Sequence, residues 1–167
     1  MAADLVLVVG CTGAGKTTYA RMLADRVGGV RFSIDEWMTT LFWKDSPQPI
    51  AFDWTMERVN RCEAQIFATA RQVAARGLCA ILDLGFTTRA HRETFRTLAG
   101  DANLTAQIHF LDVGPEERWR RVERRNAERG DTYAMQVDRG MFDFMEARWE
   151  PPAVAEWSAN GGQRIEV

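Results

Sequence analysis

Short apolar runs separated by longer stretches of helical periodicity set the outline of the chain. Residues 4–9 (Asp-Leu-Val-Leu-Val-Val) are apolar without alternation, the pattern of a strand covered on both faces. A glycine-rich turn occupies 10–15. A helix follows from about Lys16 to Val27, with Tyr19, Met22, Leu23 and Val27 on one stripe, and Gly28-Gly29 ends it. Val30–Ile34 reads as a second strand closing on Asp35, residues 36–42 as a short helix, and Lys44–Pro49, with its two prolines, as a loop. The spacing of Val59, Cys62, Ile66, Phe67, Ala70 and Val73 predicts a long helix from about Thr55 to Arg76, stopped by Gly77. Cys79–Leu84 is a third strand. Arg89–Ala99 is helical, with Phe95, Leu98 and Ala99 inward, and Ala106–Val113 is a fourth strand. Pro115 opens another helix at its first turn, where a missing N–H does no harm. It runs to about Arg129, residues 130–136 turn, and a further helix reaches about Trp149 before Pro151-Pro152. Gln163–Val167 fits a terminal fifth strand. Strands alternating with helices predict one α/β/α domain over residues 1–167, built on a parallel sheet, with no repeats and no linker.

Composition narrows the function classes. Of 167 residues, 46% are apolar and 26% charged, which fits a packed globule and not a disordered chain. The net charge is −2 and the pI near 5.7, so neither a nucleic-acid nor a membrane surface is expected. Cys11, Cys62 and Cys79 are odd in number and widely spaced, against a disulfide frame or a zinc knuckle. No signal-like segment opens the sequence and no apolar stretch is long enough to span a membrane, so a cytoplasmic protein is expected. Only two of the 21 basic residues are lysines, Lys16 and Lys44.

Lys16 stands where lysine has a specific use. Gly10-Cys11-Thr12-Gly13-Ala14-Gly15-Lys16-Thr17 matches G-x-x-x-x-G-K-[ST] at every fixed position, between a buried strand and an amphipathic helix. Glycines let backbone N–H groups converge on phosphate oxygens, and the following helix aims its positive end at the same anion. The expected nucleotide-binding residues are Gly10, Thr12, Gly13, Ala14, Gly15, Lys16, Thr17 and Thr18. Lys16 reaches the β- and γ-phosphates, and the Thr17 hydroxyl holds Mg²⁺.

In open parallel sheets ligands bind at the carboxyl ends of the strands. Asp35 in Ser33-Ile34-Asp35, Asp83 closing Ala80-Ile81-Leu82-Asp83, and Asp112 closing Phe110-Leu111-Asp112 are the carboxylates at that edge. Phosphoryl transfer to a hydroxyl needs one carboxylate to accept the proton and another to order Mg²⁺. Asp35 takes the first role and Asp83 the second, with Asp112 the other candidate for the metal. The competing explanation for each is a helix N-cap.

Residues 115–129 carry six arginines (118, 120, 121, 124, 125 and 129) and four glutamates, with Trp119 and Val122 the only large apolar residues. So polar a helix, expected to pack little, reads as a lid over about 115–136. Arg118, Arg121 and Arg125 share its face, Arg121 and Arg125 meet the transferring phosphoryl group, and Gly130-Asp131 forms the hinge. The plain alternative is a solvated face with pairs such as Glu116–Arg120 and Glu117–Arg121.

The order of these motifs resembles a known family. A P-loop, Ser-x-Asp after the second strand, an apolar run ending in Asp, Arg-x-x-x-Arg after the fourth strand and the ending Trp149-Glu150-Pro151 are similar to the small P-loop kinases. That group includes zeta toxins, chloramphenicol phosphotransferase and the kinase domain of phage polynucleotide kinase, and many members are known only as AAA-type ATP-binding proteins. The resemblance runs from Leu5 to Pro152. It implies a three-layer P-loop NTPase fold with the five-stranded sheet in 2-3-1-4-5 order and a helical lid. It also implies Asp35 as the base, Arg121 and Arg125 as lid arginines, and an adenine nucleotide as donor. The chain departs from the family at Met38, where polynucleotide kinases carry an arginine that grips substrate phosphate. It also departs at Gly85, where relatives often have Thr or Ser.

The resulting expectation is an ATP- and Mg²⁺-dependent kinase acting on the hydroxyl of a small molecule. A polynucleotide 5′-hydroxyl kinase is disfavoured by Met38 and the acidic pI, and a non-catalytic ATP-binding switch is the reading from another class. Trp37, Phe42, Trp43, Phe52 and Trp54 lie beside the expected acceptor pocket, where rings could stack or simply pack. Arg89 and Arg92 are candidates for holding an anionic group of the acceptor. His91 and His109 show no ligand or triad spacing, and His109 fits a core position.

Overall fold

The computed structural model describes residues 3–130 and 136–166. Five strands, β1 (Leu5–Val9), β2 (Val30–Ser33), β3 (Ala80–Asp83), β4 (Ala106–Leu111) and β5 (Gln163–Ile165), form one parallel sheet in the order β2-β3-β1-β4-β5. The 2-3-1-4-5 order implied by the family resemblance is therefore the observed one. The central strand shows why its sequence lacks alternation. Leu5, Leu7 and Val9 enter one core with Ile66, Phe67 and Phe95, while Val6 and Val8 enter another with Ala20, Leu23 and Leu111. Side chains alternate between faces, so a strand with helices on both sides is apolar at every position.

The helices are α1 (Lys16–Val27), α2 (Ile34–Phe42), α3 (Phe52–Ala74), α4 (Arg89–Asp101), α5 (Pro115–Glu128), α6 (Arg139–Ala147) and α7 (Val154–Trp157). Three elements were not expected from the sequence: α7 and the 3-10 turns at Trp43–Asp45 and Ala159–Gly161. The second strand ends one residue early because Ser33 caps α2, its hydroxyl accepting from the Glu36 amide at 3.3 Å. Ile34 thus opens a helix. On α1 the inward residues are Tyr19, Ala20 and Leu23, while Met22 and Val27 are exposed; on α4 Leu98 is likewise exposed. The expected hinge at Gly130-Asp131 and the turn after it lie largely outside the described residues.

Arg92 corrects an expectation. It is fully buried, its Nε donating to Glu156 on α7 at 2.5 Å and its Nη1 to the Phe86 carbonyl at 3.0 Å. It anchors the C-terminal segment to the start of α4. Arg89 stands exposed at the start of α4, its backbone N–H donating to Glu150 at 2.6 Å. Removing one partner of a buried ion pair strands the other. Arg92→Met is expected to cost about 3–5 kcal/mol of stability, read by urea unfolding. Arg92→Met with Glu156→Gln should recover part of that loss.

Candidate active site

The turn from β1 into α1 follows from its glycines. Gly13 has φ +82° and packs so closely on α5 that an added Cβ would lie 2.5 Å from the Arg118 carbonyl oxygen, so no other residue fits. Within the loop the Ala14 amide donates to Cys11 O at 3.1 Å, and the first helical bond of α1 runs from Tyr19 N–H to Gly15 O. The amides of Lys16, Thr17 and Thr18 precede that bond and remain for an anion. Thr12, Gly13, Gly15, Lys16, Thr17 and Thr18 line a cavity of about 1080 Å³. Gly10 and Ala14 are buried behind the loop and shape it without lining the cavity.

Lys16 folds back on this loop, Nζ donating to Cys11 O at 3.2 Å. Burial lowers its ammonium from the ordinary lysine value, while the negative charges of Asp83 and Asp35 pull the other way. A triphosphate supplies the counter-charge that the loop carbonyl lacks. Lys16→Met is expected to weaken ATP binding by roughly 10–100-fold, the worth of one charged hydrogen bond, as read by calorimetry.

The two carboxylates reach the cavity from adjacent strands. Ser33 of β2 lies in register with Asp83 of β3, which sets Asp35, two residues further on, beside Asp83 at the sheet edge. Neither is a cap, since Ser33 caps α2 and Thr88 caps α4. Asp35 stands in the first turn of α2 and is open to the cavity. The protein around it raises its carboxyl above the ordinary aspartate value, against the pull of Lys16; Asp83 adds to the rise and Arg125 opposes it. Asp83 is buried, and Arg31 holds its Oδ2 through Nη2 at 3.0 Å and Nε at 3.3 Å. Asp112 is elsewhere, paired with Arg164 of β5 at 2.6 Å and absent from the cavity lining. That sets it apart from Asp83, which lines the cavity.

Sequence reasoning missed Arg31. The available signal was a charged residue inside a strand, which needs a buried partner.

The arginine-rich helix divides its work. Arg121 and Arg125 line the cavity, with Arg124 beside them. Arg121 donates from Nε to Glu117 at 2.9 Å, and its Nη1 reaches toward Ala14 O at 3.5 Å. Arg118 does not share their face of the cavity, contrary to expectation. It is buried beneath the loop, donating to Val113 O at 2.8 Å, Thr12 O at 3.2 Å and Glu146 at 2.6 Å. The helix also packs better than its composition suggests: Val122 is fully buried with Val137 and Phe142, and Trp119 meets Phe142 edge-on at 5.2 Å. Glu117, not Glu116, pairs with Arg120, at 3.3 Å.

Of the five aromatics beside the expected acceptor pocket, Phe42, Trp43 and Trp54 line the cavity, whereas Trp37 packs against the core and Phe52 is exposed. His109 is a core residue as expected, within 2.8 Å of the Tyr19 hydroxyl and lowered by burial to about 4. Gly85 adopts φ +88°, where a Thr or Ser would be strained. No helix among the described residues is long and apolar enough to cross a membrane.

Comparison with known proteins places this geometry. No curated protein matches the chain in sequence. Among solved structures, Kti12 of Chaetomium thermophilum in complex with ADP-AlF3 superposes with a TM-score of 0.69 at 18% identity, over 98% of this chain and 88% of that one. The APS kinase of Mycobacterium tuberculosis in complex with AMPPNP and APS gives 0.58 at 14% identity, over 80% and 76%. A gluconokinase from Sinorhizobium meliloti gives 0.58 at 12% identity, over 97% and 80%. These likenesses show a shared fold. The family model of an AAA domain matches residues 5–152, from the first strand to the second of the paired prolines, and the chain belongs to that family, with the fold of the P-loop kinases.

Proposed function

We propose that the protein is an ATP- and Mg²⁺-dependent kinase that transfers the γ-phosphoryl group to a hydroxyl of a small molecule. The observation that carries this reading is the convergence of Lys16, Asp35, Asp83, Arg121 and Arg125 on one cavity. A nucleotide-binding switch needs the phosphate loop but has no use for a carboxylate open to the cavity on its own helix.

The donor set suits Mg²⁺. Arg31 binds only Oδ2 of Asp83, which leaves Oδ1 for another partner, and Thr17 adds a hydroxyl. No group of three or more His, Cys, Asp or Glu able to hold a metal occurs among the described residues. A hard ion that keeps waters and shares phosphate oxygens asks for no more than one or two carboxylates. When bound, the ion would be held by Asp83 and Thr17 and would offset the negative charge of the phosphates. Asp35 accepts the proton of the acceptor hydroxyl as its oxygen bonds to the γ-phosphorus and the bond to the β-bridging oxygen breaks. Lys16 and the two arginines hold the oxygens of the transferring group, and ADP leaves. The names of the gluconokinase and APS kinase that share the fold support a small-molecule acceptor.

The test is phosphate transfer from γ-labelled ATP to a panel of aminoglycosides, chloramphenicol-like drugs, nucleosides, sugars, amino-sugar nucleotides and a 5′-hydroxyl oligonucleotide. Labelling of a small molecule that depends on Asp35 is the expected result. If no acceptor is labelled and Asp35→Asn leaves ATP turnover unchanged, the switch reading prevails.

A further inference from the structure

The cavity is not uniform in chemistry. Its cationic side chains, Lys16, Arg121, Arg124 and Arg125, come from the P-loop and α5. The wall formed by α2, the segment after it and the start of α3 carries Met38, Phe42, Trp43, Ile50 and Trp54 with the hydroxyls of Thr39, Ser46 and Thr55, of which Ser46 and Thr55 donate to the Trp43 and Ala51 carbonyls; Asp35 is its one charged member among the described residues. Arg58, on α3, is turned onto the Trp54 ring at 3.9 Å and donates to the Trp54 carbonyl at 3.0 Å, outside the lining. Arg92 is committed to Glu156, and neither it nor Arg89, which is exposed at the start of α4, lines the cavity.

Asp35, Met38, Thr39 and Phe42 fall at i, i+3, i+4 and i+7, one face of α2. A hydroxyl delivered to Asp35 therefore belongs to a molecule whose body lies along Met38 and Phe42. Asp35 acts electrostatically on Lys16, which marks the γ end of the triphosphate, and the nucleoside leaves from the other end.

From this placement we infer that the acceptor is an uncharged alcohol with an aromatic or similarly flat apolar body, seated on Met38, Phe42, Trp43 and Trp54 with its hydroxyl at Asp35. The inference rests on the kinase reading and names its substrate class. An anionic acceptor would leave its charge without a partner on this wall, and a polyol would set most of its hydroxyls against three rings, Ile50 and the Met38 thioether, with Ser46 and Thr55 already donating elsewhere. Methionine adapts to irregular apolar shapes, which suits a pocket selecting ring character over one outline.

Matched acceptors test it: tryptophol against indole-3-lactate and 2-phenylethanol against 3-phenyllactate, with gluconate and a 5′-hydroxyl oligonucleotide as further arms. Binding is also measured without catalysis, by saturation-transfer NMR in the presence of ADP. The neutral ring alcohols are expected to bind and to be phosphorylated with the higher kcat/KM. Met38→Arg should weaken tryptophol binding about tenfold and leave KM for ATP within about twofold. Thr39→Lys, at an exposed position, should do the same if Met38→Arg fails to fold. A higher kcat/KM for a carboxylated or polyol acceptor overturns the inference. So does a shift in KM for ATP in place of the acceptor, or the absence of neutral-ring binding at millimolar concentration. Tryptophol binding that Met38→Arg abolishes, with no transfer to any acceptor, keeps the ring site and removes the kinase reading.

Discussion

The double variant Arg121→Ala, Arg125→Ala is expected to lose roughly 10³–10⁵ in kcat, or about 4–7 kcal/mol of transition-state stabilisation. Both side chains line the cavity at the phosphate loop. Arg121 reaches toward the Ala14 carbonyl at 3.5 Å, and Arg125 acts on both Lys16 and Asp35. Arg118 anchors α5 to the loop through Thr12 O, so the helix that carries the two arginines is already seated over the site. A fixed guanidinium is worth most where charge moves during the reaction, because it needs no reorganisation at that moment. The loss should therefore fall on kcat, with ATP affinity changing far less, as pre-steady-state transfer and nucleotide titration will separate. Lysine at both positions should recover only part of the rate, since an ammonium cannot grip two phosphate oxygens in one plane. A double variant that keeps more than a tenth of the wild-type kcat would leave these arginines as partners of Glu117 and its neighbours on a solvated face. Arg118 is unsuited to this comparison, because its loss would empty a buried contact under the loop.

The arginines also mark where the sequence stops being readable. The phosphate loop, the strands and the two carboxylates are local patterns, and each falls where its own few residues place it. A guanidinium is different: its role depends on what lies opposite it. Arg118 and Arg121 are three residues apart on one helix, yet one meets Glu146, 28 positions away, and the other Glu117, one turn back. Arg92 resembles an anion-binding residue at the start of a helix until Glu156, 64 positions away, closes over it. α7, which supplies that glutamate, is only four residues long, too short for any periodicity to announce it. Asp112 is drawn away from the cavity for the same reason. It ends an apolar strand as Asp83 does, but β4 neighbours β5, and Arg164 is waiting there. Asp83 ends a strand beside β2, on the side of the sheet edge where α2 brings in Asp35. Strand order, which no single motif carries, decides between two otherwise equivalent aspartates.

Asp35→Asn should lower transfer by roughly 10²–10⁴, the usual worth of a positioned general base. ATP binding should hold or tighten, because the substitution removes a negative charge beside the γ-phosphate. The protein around Asp35 and the charge of Asp83 raise its carboxyl above the ordinary value of 3.8. A raised base must still lose its proton to act, so wild-type kcat/KM should fall on the acid side at a pH above that value, and the variant should lack this limb. Stability moves the opposite way. The folded state holds the Asp35 proton more tightly than the unfolded chain. The contribution of this group to stability is therefore complete below 3.8 and is lost as pH rises through the folded value. Above the folded value the ionised carboxylate opposes folding, and asparagine removes that opposition. The variant should accordingly unfold at the same temperature as the wild type or higher while transferring almost no phosphate. A scan that finds transfer and stability falling together would mean that Asp35 holds the structure of α2 and does not serve the reaction. A scan that finds transfer unchanged would move the proton to another acceptor.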